Sequence, residues 1–240
     1  MADKIDAFIV TCEHGGNRIP ALYRPLFQGQ RKLLDSHRGY DPGALLMGAT
    51  LARAFAAPLV SSTVSRLLVD LNRSIGHPRL FAPNVRALPT ERRNTIIDRY
   101  YAPYRQRVEG LVAHSFARGR RVIHISSHSF TPVLDGAVRR ADVGLLYDPA
   151  RQGEAILCER WKHGLNETAP RLRVRRNYPY AGKGDGLTSY LRKRYSPHAY
   201  VGVELEVNQR IVFAAGLQWA ALRRQIIESL LAACAVGESR

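Results

Sequence analysis

Long apolar runs are missing from this chain of 240 residues. None approaches the ~18 residues that a bilayer-spanning helix needs, so no membrane-embedded role is expected. Cysteine is scarce. Cys12, Cys158 and Cys234 form no CxxC pair and no even-numbered framework, which reads as free thiols in a reducing compartment. There is no GxSxG elbow, internal repeat, low-complexity tract or long linker. The first ten residues, MADKIDAFIV, lack a small-residue cleavage site after an apolar core. They are expected to open the first strand rather than to form a signal peptide, with the cytoplasm as the default location. Acidic residues are outnumbered, 20 against 36 basic ones, for a net charge of +16. The basic residues are scattered and not interleaved with stacking aromatics, so anion steering is expected rather than specific nucleic-acid binding.

What is present is ordinary globular material, 45% hydrophobic and 23% charged. The length suits one α/β domain over residues 1–240. Short β-rich runs alternate with helical stretches, which predicts a mixed, mostly parallel sheet flanked by helices. Strands are expected at Ala7–Cys12, Pro58–Thr63, Arg121–Ser126, Val143–Tyr147 and Tyr200–Val207. Helices are expected at Gly43–Phe55, over Thr90–Arg118 with a break near Pro103, at Arg151–His163, at Leu187–Tyr195 and at Ala214–Ala233. Asn177–Gly186 reads as a loop, with a mobile lid as the functional alternative.

Several polar clusters follow or interrupt apolar strands, where open α/β sheets form their sites. His14 stands before Gly15-Gly16, which allow a sharp turn and close approach to a ligand. His124 falls within a strand and reads as packed, whereas His128 is expected at that strand's end. Ser126, Ser127 and Ser129 offer hydroxyls, but no acid stands nearby in sequence to orient a base. Cys12 reads as a core thiol rather than a nucleophile. Arg66, Asn72 and Arg73 could bind carboxylates, or could belong to a surface salt-bridge cluster around Asp70. Glu204 and Glu206 share one face of a strand, and either could be a general base. Asp41 sits where a helix N-cap is expected, and could also reach a metal.

The blocks CEHGGNRIP, HRGYDPGA, SRLLVDLNRS, HISSHSF, ADVGLLYDP, NYPYAGKGDG and GVELEVN, in that order, resemble the N-formylglutamate amidohydrolase family from about residue 7 to residue 213. That family is similar to zinc carboxypeptidases and aspartoacylase, which implies a zinc-exopeptidase-like (phosphorylase/hydrolase-like) fold. The resemblance implies one Zn²⁺ held by His14, His128 and Asp41, with Glu13 or Asn17 as alternatives to the aspartate. The carboxypeptidases place a glutamate three residues after the first histidine, where this chain has Asn17. By the same resemblance Glu206 is the base, with Glu204 in reserve. Arg66 steadies the oxyanion, and Asn72 and Arg73 anchor the substrate carboxylate. The implied substrate is a small anionic N-acyl amino acid, with N-formyl-L-glutamate first. Other N-acyl amino acids or small amides, and a non-catalytic basic anion-binding protein on the same scaffold, are the rival readings.

Overall fold

Six strands form one sheet in the computed structural model, which describes residues 6–214 and 216–235. They are β1 (Ala7–Cys12), β2 (Leu59–Ser61), β3 (Val122–Phe130), β6 (Val143–Leu146), β7 (Val174–Arg176) and β8 (Tyr200–Asn208), with β4 (Val133–Leu134) and β5 (Ala137–Val138) making a separate hairpin. The spatial order is β2-β1-β3-β8-β6-β7. β2, β1, β3 and β8 run parallel, while β6 pairs antiparallel with β8 and parallel with β7. The expected mixed, mostly parallel sheet is therefore what forms. From β1 the chain moves outward to β2 and then returns to β3 on the other side. The carboxyl ends of β1 and β3 thus flank a topological switch point, where α/β sheets open a crevice.

Period-two alternation builds the core. Ile123, Ile125, Val201, Val203, Leu205 and Val207 pack beneath the helices Ala44–Ala54, Gln152–Thr168 and Leu217–Ala235, with Met47, Trp161 and Ile226 among the buried contacts. Full burial of each such side chain stabilises the fold by about 1.5–3 kcal/mol. On the other face, Ile9, Val122 and Tyr200 pack with Tyr104, Val108 and Val112 of the helix Ala102–Ala117. Toward the strand carboxyl ends this second face turns polar, through Ser126, His128, Glu204 and Glu206.

Several boundaries differ from the sequence expectation. β3 does not stop at Ser126 but runs to Phe130, buried throughout, so His128 lies within the strand. The Thr90–Arg118 helix is not broken at Pro103. Its strain is absorbed just upstream by a π-helical turn at Ile97–Tyr101, where the Ala102 amide donates to the Ile97 carbonyl. Pro103 has no N–H to give, and a widened turn accommodates the missing bond. The closing helix begins at Leu217 after a short helix Gln209–Phe213. β7 emerges from a basic stretch that reads as solvated, and two of its three residues remain exposed. The β4–β5 hairpin turns on Asp135 and Gly136, with φ of 49° and 79°, a pairing suited to a two-residue type I′ turn. The N-terminal reading of Met1–Ile5 lies outside the described residues. Among the described residues, no helix is long and apolar enough to cross a membrane.

Candidate metal centre and active site

β1 ends at Cys12, and the chain turns at once through Glu13 and His14. The Gly15 amide ties this turn to the Ser62 carbonyl beside β2 (2.9 Å). The Asp41 amide donates to the His14 carbonyl (2.9 Å), which brings the 37–43 segment over the same turn. Asp41 does not cap the next helix. Gly43 holds the N-cap position with φ 79°, where a Cβ would stand 2.6 Å from Val212 Cγ1. The Asp41 side chain is thereby free for the crevice.

Three ligand-type atoms converge there. Asp41 Oδ2 lies 3.2 Å from His14 Nδ1 and 2.9 Å from His128 Nδ1. The far ring nitrogens are both committed elsewhere. His14 Nε2 meets Asp70 Oδ1 at 2.7 Å. His128 Nε2 lies 3.1 Å from Glu13 Oε2 and 2.9 Å from the Ser126 hydroxyl, which itself donates to Glu13. Glu13 Oε1 accepts from Tyr104 at 2.8 Å. With both Nε2–H groups donating to carboxylates, the two Nδ1 lone pairs point at an anionic oxygen. That is repulsive unless a cation lies between them or the rings are doubly protonated. His14, Asp41 and His128 thus form a buried set that could hold a metal ion. Tetrahedral zinc at its usual bond lengths separates neighbouring ligand atoms by about 3.4 Å, close to what is seen. Carboxylates behind ligating histidines are the usual outer support of such sites.

The electrostatics agree. Burial alone would raise the Asp41 and Asp70 carboxyls. For Asp41 the two histidines and Arg66 outweigh it, for Asp70 mainly Arg66, and both stay below the usual carboxylate range. Burial works against a charged His128, yet its bonds to Asp41 and Glu13 push its pKa well above the ordinary value. This pocket favours positive charge at its centre.

Arg66 lies 3.3 Å from Asp41 Oδ1 and 2.8 Å from Asp70 Oδ2. The cluster around Asp70 therefore exists but is buried, not at the surface. Glu206 is buried next to His128 in the β3–β8 register, and its Oε2 has no hydrogen-bond partner. Burial raises its pKa to about 8. Glu204 differs, because Thr188 donates to its Oε1 at 2.7 Å.

A cavity of about 720 Å³ opens over this centre. His14, Asp41, Arg66, Asn72, Arg73, His128, Glu204 and Glu206 all line it. Asn17 instead donates to Asp35 (2.8 Å), away from the cluster. Glu13 supports His128 rather than joining the three-atom set. Cys12 is fully buried core, and burial pushes its thiol up. Ser127 and Ser129 donate to the Ala44 and Pro42 carbonyls and are not poised as nucleophiles. His124 is packed as expected, between Thr11 (2.8 Å) and the Tyr200 hydroxyl (2.6 Å).

The 177–186 loop forms a pinned wall, not a free lid. Asn177 Oδ1 accepts from the Tyr147 and Gly182 amides, Arg192 donates to the Gly182 carbonyl, and the Asp185 carboxylate accepts from the Ser74 amide and hydroxyl. Gly182 passes so close to β6 that a Cβ would meet Tyr147 N at 2.0 Å. Asp185 and Leu187 also tie this wall to Arg73 and Asn72. Sequence reading missed the supporting roles of Asp70, Tyr104 and Ser126, which no local pattern marks.

A comparison with functionally curated proteins gave no match. Among solved structures, the gene product Atu2144 from Agrobacterium tumefaciens is similar, with 31% identity and a TM-score of 0.84 over 98% of this chain and 92% of that one. An N-formylglutamate amidohydrolase from Ralstonia eutropha JMP134 shares the fold, with 19% identity and a TM-score of 0.72 over 99% and 97% of the two chains. Residues 6–213 match the family model described as N-formylglutamate amidohydrolase. The chain therefore belongs to the N-formylglutamate amidohydrolase family.

Proposed function

We propose that this protein is a zinc-dependent amidohydrolase that cleaves N-acylated acidic amino acids, with N-formyl-L-glutamate giving formate and L-glutamate. One observation carries the reading: two histidine Nδ1 atoms, their Nε2 atoms committed outward, converge on one oxygen of Asp41. Zinc bound by His14, His128 and Asp41 would acidify a water molecule and polarise the acyl carbonyl.

The chain's own groups divide the remaining work. Glu206, with its free buried Oε2, takes a proton from water and returns it to the leaving amine. Burial raises its pKa and a bound cation would lower it, the balance that a group taking up and returning a proton needs. Arg66, held between Asp41 and Asp70, is the cation that steadies charge developing on the acyl oxygen. Arg73 has a buried Nε without a partner, and with Asn72 it takes the substrate carboxylate. Glu204, occupied by Thr188, is the weaker candidate for the base.

The test is elemental analysis of the purified protein, followed by release of formate and amine from a panel of N-formyl and N-acetyl amino acids. Stoichiometric zinc is expected, with N-formyl-L-glutamate among the best substrates and activity lost on chelation and restored by zinc. Full activity after complete metal removal would sink the reading, as would zinc-loaded protein that hydrolyses none of the panel.

A further inference from the structure

The cavity over the metal centre has a neighbour at Arg86. A second cavity of about 310 Å³ shares Pro78, Phe81 and Arg86 with it and extends along Thr90, Arg93, Asn94 and Ile97. Arg86 is steadied at the junction by a bond from Nη1 to the Pro78 carbonyl (3.0 Å). Arg93 lies in the far part. Its Nη2 donates to Thr90 Oγ1 (3.0 Å), while its Nε is buried without a hydrogen-bond partner.

Charge counting gives a second, independent indication. Arg38, Arg73, Arg79 and Arg86 line the main cavity and Arg93 the adjoining one. None of the five forms an ion pair among the described residues, although the carboxylates deeper in the site are engaged by histidine, arginine or hydroxyl partners, Glu206 excepted. N-formylglutamate brings only two carboxylates. It has about a dozen heavy atoms and occupies roughly 200 Å³ if packed like a dense liquid, well below the main cavity alone. Both the space and the positive charge exceed what that substrate uses.

Resting on the proposed amidohydrolase reading, we propose that the Arg86–Arg93 cavity is a further binding subsite for an anionic extension of the substrate, so that the site accepts an N-acyl acidic amino acid carried within a short acidic peptide. The main cavity holds the residue that bears the acyl group. Arg93 takes a carboxylate of the next residue, and Arg86 lies at the boundary that the two cavities share. The acyl amide still breaks as before: water supplies OH to the acyl carbon and a proton to the amine, and the peptide leaves with a free amino group.

The experiment is isothermal titration of the zinc-loaded protein with the product-side ligands L-glutamate, α-L-glutamyl-L-glutamate and γ-L-glutamyl-L-glutamate. At least one dipeptide is expected to bind about tenfold tighter than glutamate, the increment of one added ion pair of about 1.4 kcal/mol. Arg93→Gln, which lies outside the main cavity, should abolish that advantage and leave glutamate affinity and N-formyl-L-glutamate turnover within about twofold of the parent. Equal affinity for all three ligands overturns the subsite, as does a dipeptide advantage that survives in Arg93→Gln. Binding is read without turnover, so failure of the amidohydrolase reading is a separate result: no N-acyl substrate is cleaved, whatever the dipeptides do.

Discussion

Two buried ionic clusters lie a few residues apart along β8, and they are built on opposite principles. In the first, Glu154 is fully buried and meets Arg151 Nε at 3.2 Å and Arg192 Nε at 3.0 Å. The donors in excess find main-chain carbonyls: Arg151 donates to Arg192, Tyr195 and Tyr200, and Arg192 donates to Gly182 and Gly202. In the second, Glu13, Asp41, Asp70 and Glu206 surround two histidines and a single guanidinium, that of Arg66. Here negative charge is in excess, and Glu206 Oε2 is left without a hydrogen-bond partner among the described residues. A surplus of donors can be absorbed by carbonyls, which every strand and turn supplies. A surplus of buried acceptors and negative charge is costly and calls for a cation. The first cluster fastens the fold. The second contains the His14, Asp41 and His128 set that could hold a metal ion.

The sharpest way to break this contrast is at Glu206. Glu206→Gln should lower turnover by about 10²–10⁴-fold while zinc content stays at one per chain. A rate near that of the parent removes Glu206 as the base and passes the role to Glu204. Glu154→Ala tests the other cluster. It leaves two buried guanidinium groups without their carboxylate and should cost about 3–5 kcal/mol in denaturant unfolding. Zinc affinity of the folded fraction should barely move, and a large loss of zinc binding would show that the clusters are not separable.

His124 feels both clusters, because burial, opposed by Glu13 and reinforced by Arg192, lowers its pKa to about 4. The sign follows from linkage. Above the unfolded pKa of about 6.5 no proton distinguishes the two states. Between 6.5 and 4 the unfolded chain binds a proton that the folded one refuses, so stability falls as pH falls, by at most about 3 kcal/mol. His124→Gln should flatten that limb of a melting-temperature profile against pH. An unchanged slope would assign the acid sensitivity to other groups. The smallest effect is expected at Asp70→Asn, which keeps the shape but weakens the support behind His14. Zinc affinity by competition with a chelator should fall about 10- to 100-fold. No change would mean that Arg66 alone orients this side of the centre.

Much of the scaffold was legible because strands write their two faces into alternate residues. VIHISSHSF and YVGVELEVN place apolar side chains on one face, and they put His124, Ser126, His128, Glu204 and Glu206 on the other. The same alternation, carried past Ser126, locates His128 inside β3. Stopping the strand at its last apolar residue hid this. Asp41 was harder. Its sequence position resembles a helix cap, and only the 37–43 segment lying across the His14 turn gives the side chain to the crevice. Asp70 reads as one charge among several, yet two histidine and arginine contacts from different segments bury it.

The places of five strands along the chain, the polar face of the sheet and the residue types able to bind a metal or a carboxylate follow from local chemistry, since periodicity and side-chain type act within a few residues. Which carboxylate stands behind which histidine, which of two glutamates is left without a partner, and how far the basic cavity extends were decided only by the tertiary fold. These depend on contacts between residues 16 to 115 positions apart in the chain, and no neighbouring residue records them.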